Sequence, residues 1–479
     1  MRSFSALVAV FVLLVQLPVV GVAQGSAPEP FFATHVDYSV TVDFAKERLT
    51  GEYAVQLQNW TTVPARRVSF ILHRLMDVSR IVDGTGRPVR YSQDVRRFQD
   101  DSIRQVTAID IQLPHAVRPN ERILLQITYA GFLTPYTEIG WRYVRDHIDT
   151  AFTIIRSDAL AFPVIGGLNT LANRRQHDPD FTYDVAVRVP ARMVVALGGL
   201  VSRTVQRDSS VVWRFRSPQP APFFNIAIAP FDTLVEDGVR IYALHEDSVG
   251  GRRLMTATRS ALDSLKAWFG PLHHSRTVMI AEIPDGWGSQ SSLVSGIILS
   301  AAAFRDQRRL YELYHELTHM WNVADLDEAP CRWDEGLASF LEDLLRERID
   351  GWSRRAAADS ALIAWTRTAL LSDTVLTRVP FSEFGRRDVT GRSYTVGGLM
   401  FGALYALVGE TEFNGIVGGY YQQYAQGGTV RDFVQFAARH STKDLMPFFD
   451  DWLFSTRWTR TLPNATSFAD IARHYNVPA

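Results

Sequence analysis

Two histidines four residues apart, with a glutamate directly after the first, are the side chains best suited to chemistry: His315, Glu316 and His319. At helical spacing, positions i and i+4 lie on one face, so both imidazoles can reach a single metal ion. Glu316 lies one residue further round the helix, where its carboxylate would contact a metal-bound water instead of the metal. This H-E-x-x-H spacing is typical of a zinc site that uses the glutamate as a general base.

The same stretch also fits an ordinary core helix. An apolar stripe runs along it, made of Leu310, Leu313, Leu317 and Met320. Two histidines can lie beside such a stripe without binding a metal. Histidine is scarce, at 12 of 479 residues, so a chance match to the motif is uncommon.

A zinc site that keeps one position open for chemistry needs a third protein ligand. Glu335 is the candidate, because it lies in the predicted first turn of the next helix. A glutamate at that position also stabilises a helix by compensating the positive end of its dipole. The residues alone leave both roles open.

Two segments carry a family resemblance. Residues 315–321 read H-E-L-T-H-M-W, and residues 334–342 read D-E-G-L-A-S-F-L-E. They resemble the H-E-L-x-H-x-W and N-E-G-F-A-x-x-x-E segments of the aminopeptidase N and leukotriene-hydrolase family of gluzincin zinc metallopeptidases. The resemblance implies one Zn²⁺ per chain, held by His315, His319 and Glu335, with a peptide as substrate.

The resemblance extends over about residues 31–460. Residues 392–398, R-S-Y-T-V-G-G, are similar to the family's Y-x-K-G segment, which implies that Tyr394 stabilises the oxyanion of the reaction. Residues 446–453 resemble its F-F-x-x-W segment. Residues 37–52 and 225–231 resemble landmarks of its N-terminal domain.

Three departures from the family pattern stand out. The spacer between His319 and Glu335 is 15 residues where the family usually has 18, and Val396 replaces a lysine. The exopeptidase signature G-x-M-E-N, expected near residues 290–294, is absent from the sequence. In the family the glutamate of this signature holds the free α-amine of the substrate and so directs cleavage to the first residue. Without that glutamate, the resemblance gives no reason for aminopeptidase specificity.

The loop before the metal motif is the candidate substrate site, through Gly288, Ser289, Gln290 and Gly296. We expect the strand at residues 296–300 to be an exposed edge onto which an extended peptide adds. The glycine- and serine-rich loop at residues 286–292 would supply backbone donors in place of the missing glutamate. A plain connecting loop is the alternative.

Metal-bound histidines usually donate their second ring N–H to a carboxylate or a carbonyl. Glu342 and Asp334 are candidates for those partners, and each also fits a solvated surface charge.

The pattern of apolar residues predicts an α+β multidomain protein. Alternating apolar residues over 24–235, with no convincing helix, predict an N-terminal antiparallel β domain. From residue 236 to 479 the pattern and the resemblance predict a thermolysin-like, mainly helical zinc-peptidase domain. That domain would hold a small sheet and the zinc helices up to about residue 350, including one helix over about 302–322, and a mainly helical remainder.

The first 23 residues are typical of a secretory signal, with Arg2, an uncharged apolar run and a cleavage site after Ala23. An uncleaved anchor is the alternative, since about 17 apolar residues approach the length that spans a bilayer. Cleavage would leave an exported protein, periplasmic or extracellular, with no further span. A net charge of −1 gives no reason to expect nucleic acid as a partner. The sequence does not indicate an oligomeric state.

The residues and the resemblance together predict a secreted zinc metallopeptidase, aminopeptidase-like, with Glu316 as general base. A zinc endopeptidase and a non-catalytic peptide-binding or scaffold protein of the same fold are the alternatives. A hydrolase that uses Cys331, the only cysteine, is a third possibility, although a small buried residue is the simpler interpretation.

Overall fold

The computed structural model describes residues 29–137, 142–175, 179–273, 277–292 and 294–475. The predicted signal segment and its cleavage site at Ala23 lie outside them. Within these ranges, no helix combines the length and the apolar character needed to cross a bilayer.

The first part of the described chain is built from short strands. They are β1 (Phe31–Asp43), β2 (Arg48–Asn59), β3 (Ala65–His73), β4 (Met76–Asp83), β5 (Arg90–Arg97), β6 (Gln105–Val117), β7 (Arg122–Phe132), β8 (Thr153–Ile155), β9 (Val164–Ile165), β10 (Thr182–Pro190), β11 (Val194–Ala196), β12 (Leu200–Val205), β13 (Ser210–Arg216) and β14 (Ile226–Ala229).

These strands form three sheets, the largest ordered β12-β13-β10-β1-β2-β7-β4. The apolar residues that alternate along β1 face the core, since Val36, Tyr38 and Val40 are all buried. Two details differ from the prediction. The β1–β10 pair is parallel, and a short helix, α1 (Thr170–Arg175), interrupts a region predicted to hold no helix.

A five-stranded sheet follows, made of β15 (Asp232–Glu236), β16 (Val239–Ala243), β17 (Val278–Ile283), β18 (Gln290–Ser292) and β19 (Gly296–Ser300). Its order is β15-β16-β17-β19-β18. The predicted domain boundary near residue 235 falls within β15 and stays a prediction.

Strand β19 is not the exposed edge that the sequence predicted. It pairs in parallel with β17 on one side and antiparallel with β18 on the other. The outer position belongs to β18, which has only three residues and therefore shows no recognisable alternation. The edge strand next to β19, which could pair with an added strand, is thus β18.

The remaining elements are helices. They are α2 (Ser248–Phe269), α3 (Ala301–Arg305), α4 (Leu310–Thr318), α5 (Trp333–Asp350), α6 (Arg355–Ala369), α7 (Thr374–Arg378), α8 (Ser393–Val408), α9 (Glu410–Gln423), α10 (Val430–His440), α11 (Met446–Trp452) and α12 (Phe468–Arg473).

The single helix predicted over residues 302–322 is broken into α3, a short turn, α4 and a final 3₁₀ turn (His319–Trp321). The break comes at Asp306, whose backbone is extended, with φ −120° and ψ 115°. Its carboxylate accepts a hydrogen bond from the backbone N–H of Arg308 and so caps the next turn. Periodicity missed the break because apolar residues continue on both sides of it.

The apolar stripe of α4 is part of the helical core. Leu313 and Leu317 are fully buried, and burial of each such side chain contributes about 1.5–3 kcal/mol. That packing fixes the rotation of α4 about its axis, which in turn sets the direction in which the two histidines point.

Candidate metal centre

His315, His319 and Glu335 converge on one point. His315 lies in α4, His319 begins the 3₁₀ turn that follows, and Glu335 is the third residue of α5. Nε2 of His315 lies 3.2 Å from Oε2 of Glu335, and Nε2 of His319 lies 3.5 Å from the same oxygen. One ligand atom from each residue therefore lies within 4.8 Å of the other two.

This donor set fits zinc. Two imidazole nitrogens and one carboxylate oxygen are ligands of catalytic zinc sites, which leave a fourth position free. Burial lowers the pKa of His319, which favours the neutral imidazole that binds metal. Glu335 is only 5% exposed, and a buried carboxylate requires a cation or hydrogen-bond donors beside it.

In both imidazoles, Nδ1, the ring nitrogen that points away from Glu335, also has a polar neighbour. Nδ1 of His315 lies 2.9 Å from Oε2 of Glu342, two turns after Glu335 on α5. The contact predicted for Glu342 is therefore present. Nδ1 of His319 lies 2.7 Å from Nδ2 of Asn322, which in turn lies 3.1 Å from Oδ2 of Asp334. Asp334 thus reaches His319 only through Asn322.

Tyr394 lies beside the candidate metal ligands. It is the second residue of α8, and its ring stacks on that of His315, with centroids 5.9 Å apart and planes at 16°. Burial raises the pKa of Tyr394, so its hydroxyl keeps its proton and remains a donor.

Two glycines explain why α8 comes so close to the ligand helix. Gly336 follows Glu335 directly, and a Cβ placed on it would lie 2.3 Å from Cα of Gly397. Such a distance excludes any side chain, so the α5 and α8 backbones are in direct contact. Because Gly397 lies three residues after Tyr394, this contact sets Tyr394 beside the ligands.

The site opens into a cleft of about 690 Å³. Glu316 lines it together with the candidate metal ligands and Tyr394, as its predicted role of general base would require. The other lining residues come from the first β region, from the five-stranded sheet and its loops, from the segment joining α4 to α5 and from the start of α5. They are Asp180, Gln219, Pro220, Pro222, Phe223, Val278, Met279, Ser289, Gln290, Ser291, Ser292, Val294, Gly296, Ile297, Met320, Asn322, Val323, Ala324, Asp325, Pro330, Arg332, Trp333 and Asp334.

Ser289, Gln290 and Gly296, three of the four residues predicted to bind substrate, line this cleft. The structure places Gly288 instead against the ring of Tyr143, which a Cβ on the glycine would approach to 3.5 Å.

The amide of Gln290 is held by protein groups on both sides. Oε1 accepts from Nδ2 of Asn225, and Nε2 donates to Oδ2 of Asp158, both at 3.0 Å. Its side chain thus ties the edge strand to the first β region. Substrate contact at this position would fall to the backbone of β18.

Cys331 is buried, as the simpler interpretation of this residue predicted. Burial also raises the pKa of its thiol well above the usual range, which disfavours the reactive thiolate. This environment argues against a hydrolase that uses Cys331.

A second group with metal-ligand spacing lies on the largest sheet, where His35, Asp37 and Asp184 meet on neighbouring strands. Asp37 is directly opposite Asp184 across the parallel pair. Asp184 already accepts a 2.7 Å hydrogen bond from Arg216, which supplies a positive charge there.

Comparisons with known proteins find no match by sequence but several by fold. Neither a family model nor a curated protein matches this sequence. Solved structures do match. A variant of the M1 zinc metallopeptidase from Deinococcus radiodurans, bound to a Tyr-Ser-Ala substrate, superposes with a TM-score of 0.66 and 19% identity, over 89% of this chain and 95% of that one. The chain has the M1 zinc metallopeptidase fold.

Two further structures agree. The unmutated Deinococcus radiodurans enzyme gives a TM-score of 0.64 at 20% identity, over 89% of this chain and 95% of the other. A two-domain M1 zinc metallopeptidase variant bound to L-arginine gives 0.63 at 19% identity, over 92% and 96%. At this identity the likeness establishes the M1 fold alone, and it confirms the predicted fold class of a β-rich N-terminal part and a helical remainder.

The contacts of Asn322 and Arg332 were not predicted from the sequence. Asn322 lies three residues after His319, within reach of that imidazole across one helical turn, so its spacing was an available signal. Arg332 forms an ion pair with Glu335. Its position three residues before the glutamate was visible in the sequence, but its approach to a metal ligand was not.

Proposed function

We propose that this protein is an M1-type zinc metallopeptidase that hydrolyses peptide bonds at the site formed by His315, His319 and Glu335. The observation that carries the proposal is the convergence of their ligand atoms within 4.8 Å of one another, beside Glu316 and Tyr394 in one cleft. We expect one zinc ion per chain.

Each polar group of the site has a role in this reaction. When bound, Zn²⁺ supplies a Lewis acid and lowers the pKa of a coordinated water to about 7. Glu316 accepts a proton from the attacking water and later delivers it to the leaving amine. The Tyr394 hydroxyl donates a hydrogen bond to the oxygen on which negative charge develops. Glu342 accepts from Nδ1 of His315 and so holds that imidazole in orientation.

The charge of the cleft supports an aminopeptidase-like preference although the expected exopeptidase glutamate is absent. Five of the lining side chains carry a carboxylate, against one guanidinium and the two positive charges of the proposed Zn²⁺. A cleft lined mainly by one sign of charge attracts ligands of the opposite sign. A free α-amine is therefore a better ligand than a blocked one.

Matched peptides with free and acetylated N-termini test this preference. We expect free peptides to be cleaved at the first residue with a kcat/KM about tenfold or more above that of their acetylated counterparts, equivalent to about 1.4 kcal/mol. Mapping of the cleavage sites by mass spectrometry measures both rate and position. Equal cleavage of both sets would contradict the aminopeptidase proposal and favour the zinc endopeptidase.

We also propose that residues 1–23 direct export and are then removed. The support is the sequence pattern of a positive start, an apolar run and small residues before the cleavage site.

A further inference from the structure

Arg332 has a backbone conformation that arginine rarely adopts. Its φ of 56° and ψ of 46° lie in the left-handed region, directly before the first residue of α5. Glycine adopts this conformation without steric cost, whereas a side chain with a Cβ is strained there. Strain of this kind is found preferentially at functional sites. The arginine at this position therefore indicates that its side chain makes an interaction that glycine could not make.

The side chain contacts one particular oxygen of a metal ligand. Nη2 of Arg332 donates to Oε1 of Glu335. The other oxygen, Oε2, is the one that faces Nε2 of His315 and Nε2 of His319. The two carboxylate oxygens are thus divided between the guanidinium and the metal site.

This division matters because a carboxylate can bind a cation through one oxygen or through both. A catalytic zinc site has to keep a position open for water and substrate. If both oxygens of Glu335 turned toward the ion, the second would compete for that position. A charge-assisted hydrogen bond from Arg332 to Oε1 opposes that rotation.

We propose that Arg332 is a positioning residue that restricts Glu335 to one-oxygen coordination and so keeps the reactive position open. The inference rests on the proposed zinc site. Arg332 lies outside the H-E-x-x-H and D-E-G segments, so it would be a further residue that controls how Glu335 coordinates the metal.

The test replaces Arg332 with methionine, which keeps an unbranched apolar stem and removes the guanidinium. In protein loaded with Co²⁺ in place of zinc, we expect the visible absorption of Arg332→Met to weaken and shift, since added ligands reduce the intensity of a tetrahedral cobalt site. With zinc, we expect kcat to fall by about 10- to 100-fold, as is usual when a group that orients a ligand is lost.

Arg309 provides the matched control. It too directly precedes a helix, α4, and pairs with a glutamate three residues on, Glu312. Glu312 is not among the clustered ligands, so Arg309→Met is expected to leave the cobalt spectrum unchanged. Arg332→Lys keeps a positive donor, and its spectrum is expected to lie closer to wild type than that of Arg332→Met. Arg332→Gly also removes the guanidinium, and it provides a folded variant if the methionine variant does not fold, because glycine adopts the left-handed conformation without strain.

Two results separate this inference from the proposal beneath it. Wild-type metal uptake with an unchanged cobalt spectrum in Arg332→Met, or in Arg332→Gly if only that variant folds, would overturn the role of Arg332 alone. A wild-type protein that took up neither cobalt nor zinc would overturn the zinc site and this inference with it.

Discussion

Replacing Glu316 with glutamine is expected to lower kcat by about 10²- to 10⁴-fold, the usual contribution of a general base. The amide has nearly the same shape as the carboxylate but cannot accept the proton of the attacking water. Because Glu316 is not one of the three clustered ligands, zinc content should stay at the wild-type value. Steady-state hydrolysis of a free N-terminal peptide, with metal analysis of the same sample, measures both quantities.

Glu312→Gln is the matched control for this variant. Glu312 lies one turn before Glu316 on α4 and pairs with Arg309. Removal of its charge is expected to leave kcat close to wild type. If zinc-loaded Glu316→Gln hydrolysed peptides at the wild-type rate, Glu316 would not be the base. Loss of activity in that variant also separates a peptidase from a non-catalytic protein of the same fold, in which no hydrolysis would be present to lose.

The second large effect is expected at Tyr394. Phenylalanine keeps the ring that stacks on His315 and removes only the hydroxyl. Loss of one donor to a developing oxyanion typically costs about 10²- to 10³-fold in kcat, equivalent to about 2.7–4 kcal/mol. Since that donor acts mainly in the transition state, we expect KM to change little.

Tyr405→Phe controls for loss of a tyrosine hydroxyl on the same helix. Tyr405 lies three turns along α8 and packs against Phe340 and Phe413, away from the metal ligands. Its variant should retain wild-type kcat. A Tyr394→Phe enzyme with unchanged kcat would exclude the hydroxyl from the reaction, whereas a raised KM with unchanged kcat would indicate a substrate-binding role instead.

The proximity of the two histidines could be predicted from the sequence because helical spacing is local. An i, i+4 pair places His315 and His319 on one face before any tertiary structure is known. The α-helix ends at Thr318, but the backbone of His319 is still helical, with φ −59° and ψ −15°. The two imidazoles therefore share one face although the predicted helix bounds were wrong. Glu335 could be assigned only through a family resemblance, since its approach depends on how α5 packs on α4.

The substrate side of the cleft was harder to predict. The position of β19 in its sheet depends on a three-residue partner, β18, that carries no periodic signal. Gln290 forms hydrogen bonds with Asn225 and Asp158, which lie 65 and 132 residues away in the chain. The roles of Asn322 and Arg332 likewise depend on side-chain directions that sequence patterns do not contain.

Zinc content and position test the central claim most directly. Anomalous diffraction at the zinc edge, from crystals of protein with its metal stoichiometry determined, measures both together. We expect one zinc per chain, with its peak between Nε2 of His315, Nε2 of His319 and a carboxylate oxygen of Glu335. A protein that binds no zinc under saturating conditions, or whose single peak lies elsewhere, would contradict the account.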